Sequence, residues 1–344
     1  MSNIGVSVII TAYNRKDFVI QAIESVLNQN YDPSSYEIVL VTNFSIDLAN
    51  YQVDYQLKSI VMDGSIGEFL YAGIMATTYT IIAFLDDDDT FDPGKLMRLM
   101  EIFSSNRELC YYHNDMKYVD HSGRKIDYVR LVERESRSLN SKNLIFDAKS
   151  NLHAIKAALD NRGDFNLSSM AIRRDCYLKY LLLLKQIKGN PDGFFFWTGI
   201  ISLGQLMIDN KKLTNYRIHE MNVSGQLNSM SKAQELQKQI YTFDLILNFL
   251  AVNTGQCEIS EDLKKWISLF KYEYELISAI FTNSSRASIM ILIRRILSID
   301  VKHSNTLKYR VLLFSFIAMI NHDFTQKFYL RISSMNHKAK NKYK

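Results

Sequence analysis

The sequence predicts an α/β fold in which a doubly wound, largely parallel sheet is followed by a helical C-terminal region. Apolar runs of strand length alternate with helical periodicity through the first 104 residues, which is typical of βαβ units. From Ser229 onward the pattern is helical almost throughout. The 344 residues are 47% hydrophobic and 22% charged, which suits a folded protein with a sizeable core and excludes wholesale disorder.

Each element is predicted from its own apolar pattern. Four buried strands are predicted at residues 6–10, 36–41, 59–62 and 80–85, and helices at 18–30, 64–77 and 94–104. Two more strands, 110–112 and 128–130, flank a turn at 121–123, and residues 166–172 suit either a strand or a loop. An apolar helix is predicted from Asp192 to about Leu206, and breaks in the C-terminal helices at 253–255 and 283–285.

Charge divides the chain into two predicted domains. Residues 226–344 hold 17 Lys and Arg against 9 Asp and Glu, a balance of +8, which leaves −3 for residues 1–225 out of the total of +5. An acidic part joined to a basic part suggests two different roles. We therefore predict a catalytic domain over 1–225 and a helical, basic region over 226–344, with a role at a membrane interface, in packing or in oligomerisation.

Cysteine usage and hydropathy point to a cytoplasmic protein. Cys110, Cys176 and Cys257 match no zinc or redox spacing, and we expect three free, buried thiols in a reducing compartment. The N-terminus lacks the basic and apolar regions of a signal peptide. The longest apolar candidate, residues 311–320, is shorter than the ~18 residues that span a bilayer.

The most informative segment is residues 80–89, an apolar run of strand length that ends in four consecutive aspartates. Adjacent like charges repel and have no use in a core unless they are paired or bind a metal. At the end of a strand in an α/β sheet they face the crevice where ligands bind. Oxygen ligands concentrated there suit Mg²⁺ or Mn²⁺ bridging to a phosphate, whereas a solvated acidic turn is the simpler alternative.

Three separated segments resemble the family 2 glycosyltransferases. Residues 6–15 with the helix 22–29 resemble the family's opening, residues 84–89 its aspartate-x-aspartate block, and residues 213–224 its later tyrosine–arginine–x–histidine segment. The matches stand in the family's order and cover about residues 5–225, so the C-terminal third is not covered.

The resemblance implies a GT-A fold, a Rossmann-like mixed sheet flanked by helices, and an inverting transfer of sugar from a nucleotide-diphosphate donor, with a UDP-sugar favoured and Mg²⁺ or Mn²⁺ as cofactor. It implies that the base and ribose pocket is lined by Thr11, Ala12, Tyr13, Arg15 and Asn43. It implies a ribose and metal–diphosphate site formed by Asp86, Asp87 and Asp88. Asp192 would be the catalytic base, and His219 a further ligand to the diphosphate or the metal. Asn43 departs from the paired aspartates that this family commonly carries there, which makes the donor base less secure.

The chemistry of such a transfer leaves alternatives open at several residues. Asp192 beside an apolar run could be a helix N-cap as well as a base, and His219 alone could be structural. The phenylalanines at 194–196 suit the core better than an acceptor platform. Residues 113–115 are weaker candidates for contact with the acceptor.

The basic C-terminal third has two interpretations. Residues 286–344 carry 12 Lys and Arg against Asp300 and Asp323, a net charge of +10, around the apolar runs 289–297 and 311–317. Apolar helices with basic flanks bind anionic membrane surfaces, which is where lipid-linked acceptors lie. A helical bundle with a solvated basic face explains the pattern equally well, and the absence of a recognised motif argues against nucleic acid.

We therefore predict a glycosyltransferase that acts on a lipid-linked or surface glycan. A non-catalytic membrane scaffold that keeps the nucleotide pocket is the rival from another class. A sugar nucleotidyltransferase is the nearest rival enzyme, but residues 11–15 lack the glycines of a phosphate loop.

Overall fold

The computed structural model describes residues 5–52, 56–126, 143–147, 152–202, 204–219, 229–253, 261–300, 305–321 and 324–327. The described residues up to Arg217 form one compact unit, and those from Ile218 onward form a second. The predicted strand at 128–130 and the basic tail at 338–344 lie outside the described residues.

The first unit is built on a mixed sheet. Its strands are β1 (Val6–Ala12), β2 (Tyr36–Thr42), β3 (Leu57–Val61), β4 (Ile81–Asp86), β5 (Thr90–Phe91), β6 (Leu109–Val119), β7 (Leu144–Asp147), β8 (Met170–Arg173) and β9 (Gln205–Arg217). They follow the order β3-β2-β1-β4-β8-β6-β9-β5, with β7 paired to β9. The four predicted N-terminal strands are confirmed and run parallel to one another, whereas β8 joins β4 and β6 in antiparallel fashion.

The helices of this unit are α1 (Val19–Leu27), α2 (Ala49–Gln52), α3 (Ile66–Ala76), α4 (Lys95–Ser105), α5 (Leu152–Asp160), α6 (Arg174–Tyr177), α7 (Leu181–Leu184) and α8 (Pro191–Ile201). On α1 the buried residues Val19, Ala22, Ile23 and Val26 recur at helical spacing and pack into the core formed with β1 and β2. On α3 a capping box between Ser65 and Glu68 fixes the first turn.

The sequence missed β9, which contains 13 residues. The predicted helix from Asp192 to Leu206 ends at Ile201 instead, and the chain enters β9 at Gln205. Lys211 and Lys212 interrupt the apolar pattern in the middle of this strand, where they are exposed. A long strand with a polar centre has no continuous apolar run, so periodicity did not reveal it.

The prediction of three free cysteines is wrong. A disulfide joins Cys110 on β6 to Cys176 on α6, across 66 residues of sequence. Spacing alone did not reveal it, because the antiparallel pairing of β6 with β8 brings the two residues together. Disulfides are rare in reducing compartments, so the cysteines no longer support a cytoplasmic location. Cys257 lies outside the described residues.

The second unit is helical, as the sequence predicts. Its helices are α9 (Ser229–Val252), α10 (Glu261–Phe281), α11 (Arg286–Ser298) and α12 (Asn305–Ile320). Buried residues of α10, α11 and α12 form one apolar cluster that includes Leu276, Ile293 and Ala318. Among the described residues, no helix is long and apolar enough to cross a membrane.

Candidate active site

The acidic segment forms a tight turn at the carboxyl end of β4. Asp86 ends the strand, and the three aspartates that follow lead into β5. The turn is tied to β1 because the Asp87 amide donates to the carbonyl of Thr11 at 3.2 Å. It is tied to β9 because the Arg217 amide donates to Asp89 Oδ1 at 2.9 Å. The aspartates therefore stand at the end of two parallel strands, where α/β folds bind ligands.

Arg15 neutralises one side of this turn. Its guanidinium donates to both carboxylate oxygens of Asp87, at 2.7 and 2.5 Å, and lies 2.9 Å from Asp88 Oδ2. Burial lowers the pKa of Arg15, but the bond with Asp87 and the neighbouring negative charges outweigh it and raise the pKa above its ordinary value. A bidentate pair of this kind holds its geometry firmly.

Asp86 stands on the other side of the turn without such compensation. Within the described part of the chain its carboxylate makes no hydrogen bond or ion pair. Burial raises the pKa of Asp86 well above its usual range, and the negative charges of Asp88, Asp89, Asp87 and Asp192 add to this. An uncompensated carboxylate among like charges is an arrangement that a cation would relieve.

These residues fit a divalent cation only as part of a shared site. Among the described residues, no group of three or more histidine, cysteine or acidic side chains is arranged to hold a metal. Mg²⁺ commonly takes one or two carboxylates from a protein and completes its shell with water and substrate phosphates. Asp86 and Asp88 offer the oxygen ligands for that arrangement.

The ends of β1 and β2 hold the predicted nucleotide residues. Thr11 and Ala12 are buried, and Ala12 packs into the core, so only its backbone can face a ligand. Tyr13 is 57% exposed and meets the ring of Phe69 edge-on. Asn43 accepts from the Asn14 amide at 2.9 Å and donates to Asn14 Oδ1 at 2.6 Å, which joins the ends of the two strands.

Asp192 lies in the first turn of α8, but it is not the residue that caps it. Asn190 is the N-cap, and its Oδ1 accepts from the Gly193 amide at 3.2 Å. Asp192 Oδ2 accepts from the Asn166 amide at 3.2 Å. The negative charge of Asp192 contributes to the raised pKa values of Asp86 and Asp164, so the three carboxylates share one electrostatic neighbourhood. The helix dipole favours a negative charge at this position.

The aromatic run after Asp192 is core. The side chains of residues 194–197 are buried, and Phe195 stacks on Phe84 of β4 with ring centroids 4.4 Å apart. This confirms the interpretation of the phenylalanines as packing, and it fixes α8 against the strand that ends in the acidic turn.

His219 and His113 are both buried but lie in different parts of the structure. His219 is buried just beyond β9 and belongs to the second unit. His113 is buried on β6 with Nε2 2.7 Å from the Phe165 carbonyl. Burial lowers the pKa of His113 to about 4, so it is neutral near pH 7.

Arg217 is the residue whose role the sequence did not reveal. Its guanidinium donates to the carbonyls of Asp88 and His121, each at 2.7 Å, and to Gln21 Oε1 at 2.8 Å. It also lies 4.6 Å from the ring centroid of Phe18. The arginine stood within the tyrosine–arginine–x–histidine segment, but a contact to a backbone carbonyl leaves no pattern in sequence.

Comparison with known proteins agrees with this geometry. Residues 7–160 match the family described as Glycosyl transferase family 2. An uncharacterized glycosyltransferase of Nostoc sp. is 29% identical over 68% of this chain and 71% of its own length. The succinoglycan biosynthesis protein ExoO of Rhizobium meliloti is 28% identical over 46% of this chain and 48% of its own length.

A likeness of fold extends over nearly the whole chain. The crystal structure of S. aureus TarS 1–349 in complex with UDP-GlcNAc superimposes with a TM-score of 0.57 and 14% sequence identity, over 97% of this chain and 90% of that one. A further crystal structure of S. aureus TarS 1–349 gives a TM-score of 0.56 at 15% identity, over 97% of this chain and 89% of that one. The first unit therefore has the GT-A fold, and the resemblance seen in the sequence is confirmed.

Proposed function

We propose, from the membership of residues 7–160 in glycosyl transferase family 2, that this glycosyltransferase moves a sugar from a UDP-sugar to an acceptor hydroxyl with inversion at the anomeric carbon. The observation that carries the proposal is the position of two sets of carboxylates, the acidic turn at the end of β4 and Asp192 on α8. They are separate in sequence, yet the charge of Asp192 raises the pKa of Asp86. The acidic turn serves the leaving diphosphate, and Asp192 serves the acceptor.

The donor lies against the ends of β1 and β2 in this proposal. The exposed ring of Tyr13 offers a stacking face for the base. Asn43 holds the neighbouring strand end in place through its bonds to Asn14, and backbone groups near Thr11 and Ala12 are the remaining contacts. The choice of UDP is supported by the UDP-GlcNAc complex of the TarS structure, which shares this fold.

Asp86 and Asp88 would hold Mg²⁺ or Mn²⁺ together with the diphosphate. A bound divalent cation offsets the negative charge that grows on the departing nucleoside diphosphate. Arg15 keeps Asp87 and Asp88 oriented while the donor enters, since it pairs with both.

Asp192 acts as the base. As the acceptor oxygen forms its bond to the anomeric carbon and the bond from that carbon to the diphosphate oxygen breaks, the hydroxyl proton passes to the Asp192 carboxylate. Inversion follows because the acceptor attacks opposite the leaving group in one step. The bond from the Asn166 amide to Oδ2 orients the carboxylate for this transfer.

We further infer that the second unit binds the surface of an anionic membrane, where a lipid-linked acceptor is reached. On α12 the side chains of Tyr309, Leu313 and Phe316 are 70%, 59% and 62% exposed and recur at helical spacing, so they form one stripe. The segment that contains them is acid-poor, with the net charge of +10 over residues 286–344. Exposed apolar side chains on a strongly basic segment fit anionic lipid better than a neutral partner.

Vesicle binding tests the membrane proposal. The protein should sediment with vesicles of mixed phosphatidylglycerol and phosphatidylcholine and less with phosphatidylcholine alone. Phe316→Glu should reduce sedimentation, whereas Leu182→Glu, at a residue 72% exposed on the first unit, should not. Equal loss in both variants, or dimerisation through the stripe seen by light scattering, would overturn the membrane assignment.

Nucleotide binding tests the catalytic proposal. Titration calorimetry with UDP should show binding that Mn²⁺ or Mg²⁺ strengthens and EDTA weakens. Asp88→Asn should remove the effect of the metal, and Asp175→Asn, an exposed aspartate on α6, is the matched control. A scaffold would bind the nucleotide and release no UDP from any UDP-sugar supplied with lipid extract. Absence of binding to any nucleotide would refute the proposal.

A further inference from the structure

A buried turn that precedes β8 in the chain contacts both Asp192 and the acidic turn after β4. Residues 166–169 form a single turn whose polar residues Asn166, Ser168 and Ser169 are all buried. Asn166 has φ +67°, in the left-handed region, and its Oδ1 accepts from the Ser168 amide at 3.2 Å. Asparagine tolerates this backbone better than most residues because its side chain bonds locally. The conformation is therefore set by the residue itself.

On one side the turn contacts the proposed base. The Asn166 amide donates to Asp192 Oδ2 at 3.2 Å. The bond comes from the backbone, so its direction is fixed by the turn and not by a flexible side chain. The position of Asp192 Oδ2 thus depends on the conformation of the turn.

On the other side the turn contacts the acidic segment. Ser168 Oγ accepts from the Asp86 amide at 3.0 Å. One buried hydroxyl thus holds the backbone of the first aspartate of the segment in place.

The turn is anchored from behind by a buried lysine. Lys95 Nζ donates to the Ser168 carbonyl at 2.6 Å and to Thr214 Oγ1 at 3.1 Å, and Thr214 Oγ1 donates to the same carbonyl at 3.0 Å. The ammonium also lies 4.0 Å from the ring centroid of Phe91. A fully buried lysine amine is retained only where its hydrogen-bond partners are well placed, so this anchor has little freedom to shift.

We propose that the turn at residues 166–169 is a positioning element that sets the separation between the base Asp192 and the acidic segment, with Ser168 and Asn166 as positioning residues. The inference rests on the proposed function. An in-line displacement needs the base and the leaving group on opposite faces of the sugar, and a misplacement of ~1 Å can cost about 100-fold in rate. Neither residue touches substrate in this account, since each acts through an aspartate.

Ser168→Ala tests the proposal, with Ser169→Ala as the matched control. Ser169 lies in the same turn and is equally buried. Its hydroxyl accepts from the Asn166 side chain at 3.2 Å and, among the described residues, makes no hydrogen bond to Asp192 or to the acidic turn. We expect kcat to fall about 10- to 100-fold in Ser168→Ala with the donor KM changed less than threefold. Ser169→Ala should stay within about threefold of the wild type, and melting temperatures verify that both variants fold.

A second background separates positioning from general loss of structure. In Asp192→Asn, where the base is absent, Asn166→Gly should lower the residual rate by less than about threefold, because the turn then has no base to position. Asn166→Gly keeps the backbone amide and allows the positive φ, so it should fold and lose kcat about fivefold to tenfold.

The outcomes distinguish the two levels of the account. If Asp192→Asn is inactive while Ser168→Ala and Asn166→Gly retain wild-type kcat, the positioning role is overturned and the proposed function stands. Equal losses from Asn166→Gly with and without the base would also overturn positioning. If Asp192→Asn remains fully active, the proposed base is wrong.

Discussion

Replacing Arg217 by methionine should destabilise the first unit by about 3 kcal/mol. The guanidinium donates to the carbonyls of Asp88 and His121 and to Gln21 Oε1 at 2.7 to 2.8 Å. The Asp88 carbonyl lies inside the site, and losing a charged donor there costs about 1.5–3 kcal/mol. The exposed residues His121 and Gln21 can turn to water, so we assign each about 0.5 kcal/mol.

Two smaller effects act on the same estimate. The contact with the Phe18 ring adds about 0.5–1 kcal/mol. Burial of the charged guanidinium acts in the opposite direction, since desolvation disfavours the charge and lowers the pKa of Arg217. Methionine carries no charge, so the variant avoids this desolvation cost. A net loss of about 3 kcal/mol is a large part of the 5–15 kcal/mol that stabilises an ordinary domain.

Urea unfolding measures the change. Arg217→Met should lower the midpoint while the dependence on urea stays the same. Arg124→Met is the matched control, because Arg124 pairs with Asp120 in the neighbouring turn and its side chain is 80% exposed. That variant should change stability by less than about 0.5 kcal/mol. A loss below about 1 kcal/mol in Arg217→Met, or equal losses in both variants, would refute the reasoning.

Two further predictions concern the carboxylates and the disulfide. Burial and the charge of Asp192 raise the pKa of Asp164 to about 6, so Asp164 gains a negative charge near Asp192, the proposed base, as pH rises through that value. Removing this charge in Asp164→Asn should favour ionised Asp192, so the acid limb of the kcat–pH profile should move to lower pH; an unmoved limb would contradict the shared environment. Serine at both Cys110 and Cys176 should cost about 2–4 kcal/mol by urea unfolding, because the disulfide closes a long loop. Cys257→Ser is the control, and equal stability of both variants would show that the disulfide contributes nothing.

Much of the parallel half of the fold could be predicted from local pattern. The strands at β1, β2 and β4 are continuous apolar runs because both faces are buried, and such runs need no knowledge of tertiary structure. The other half, in which parallel and antiparallel pairings are mixed, could not be predicted in the same way. In β9 the polar residues at the centre and the pairing with β5, β6 and β7 are tertiary features.

The same difference between local sequence pattern and tertiary contact applies to the residues of the candidate site. Asp86, Asp88 and Asp192 could be proposed from the sequence because carboxylates at strand and helix ends carry a chemical signal in it. Ser168 and Arg217 were not, because they act through backbone amides and carbonyls that any sequence possesses. The alternative of Asp192 as the helix cap could not be decided from the sequence, since Asn190 and Asp192 are both good cap formers and only the backbone decides between them.

The most direct test of the central claim is UDP release in a single assay with wild type, Asp192→Asn and the control Asp175→Asn. Each would be supplied with a panel of UDP-sugars, lipid extract and Mn²⁺ or Mg²⁺. We predict metal-dependent release from one donor by the wild type and the control, and a loss of at least about 100-fold in Asp192→Asn at unchanged UDP affinity. Full activity of Asp192→Asn would contradict the account, because transfer would then proceed without the carboxylate on which the mechanism depends.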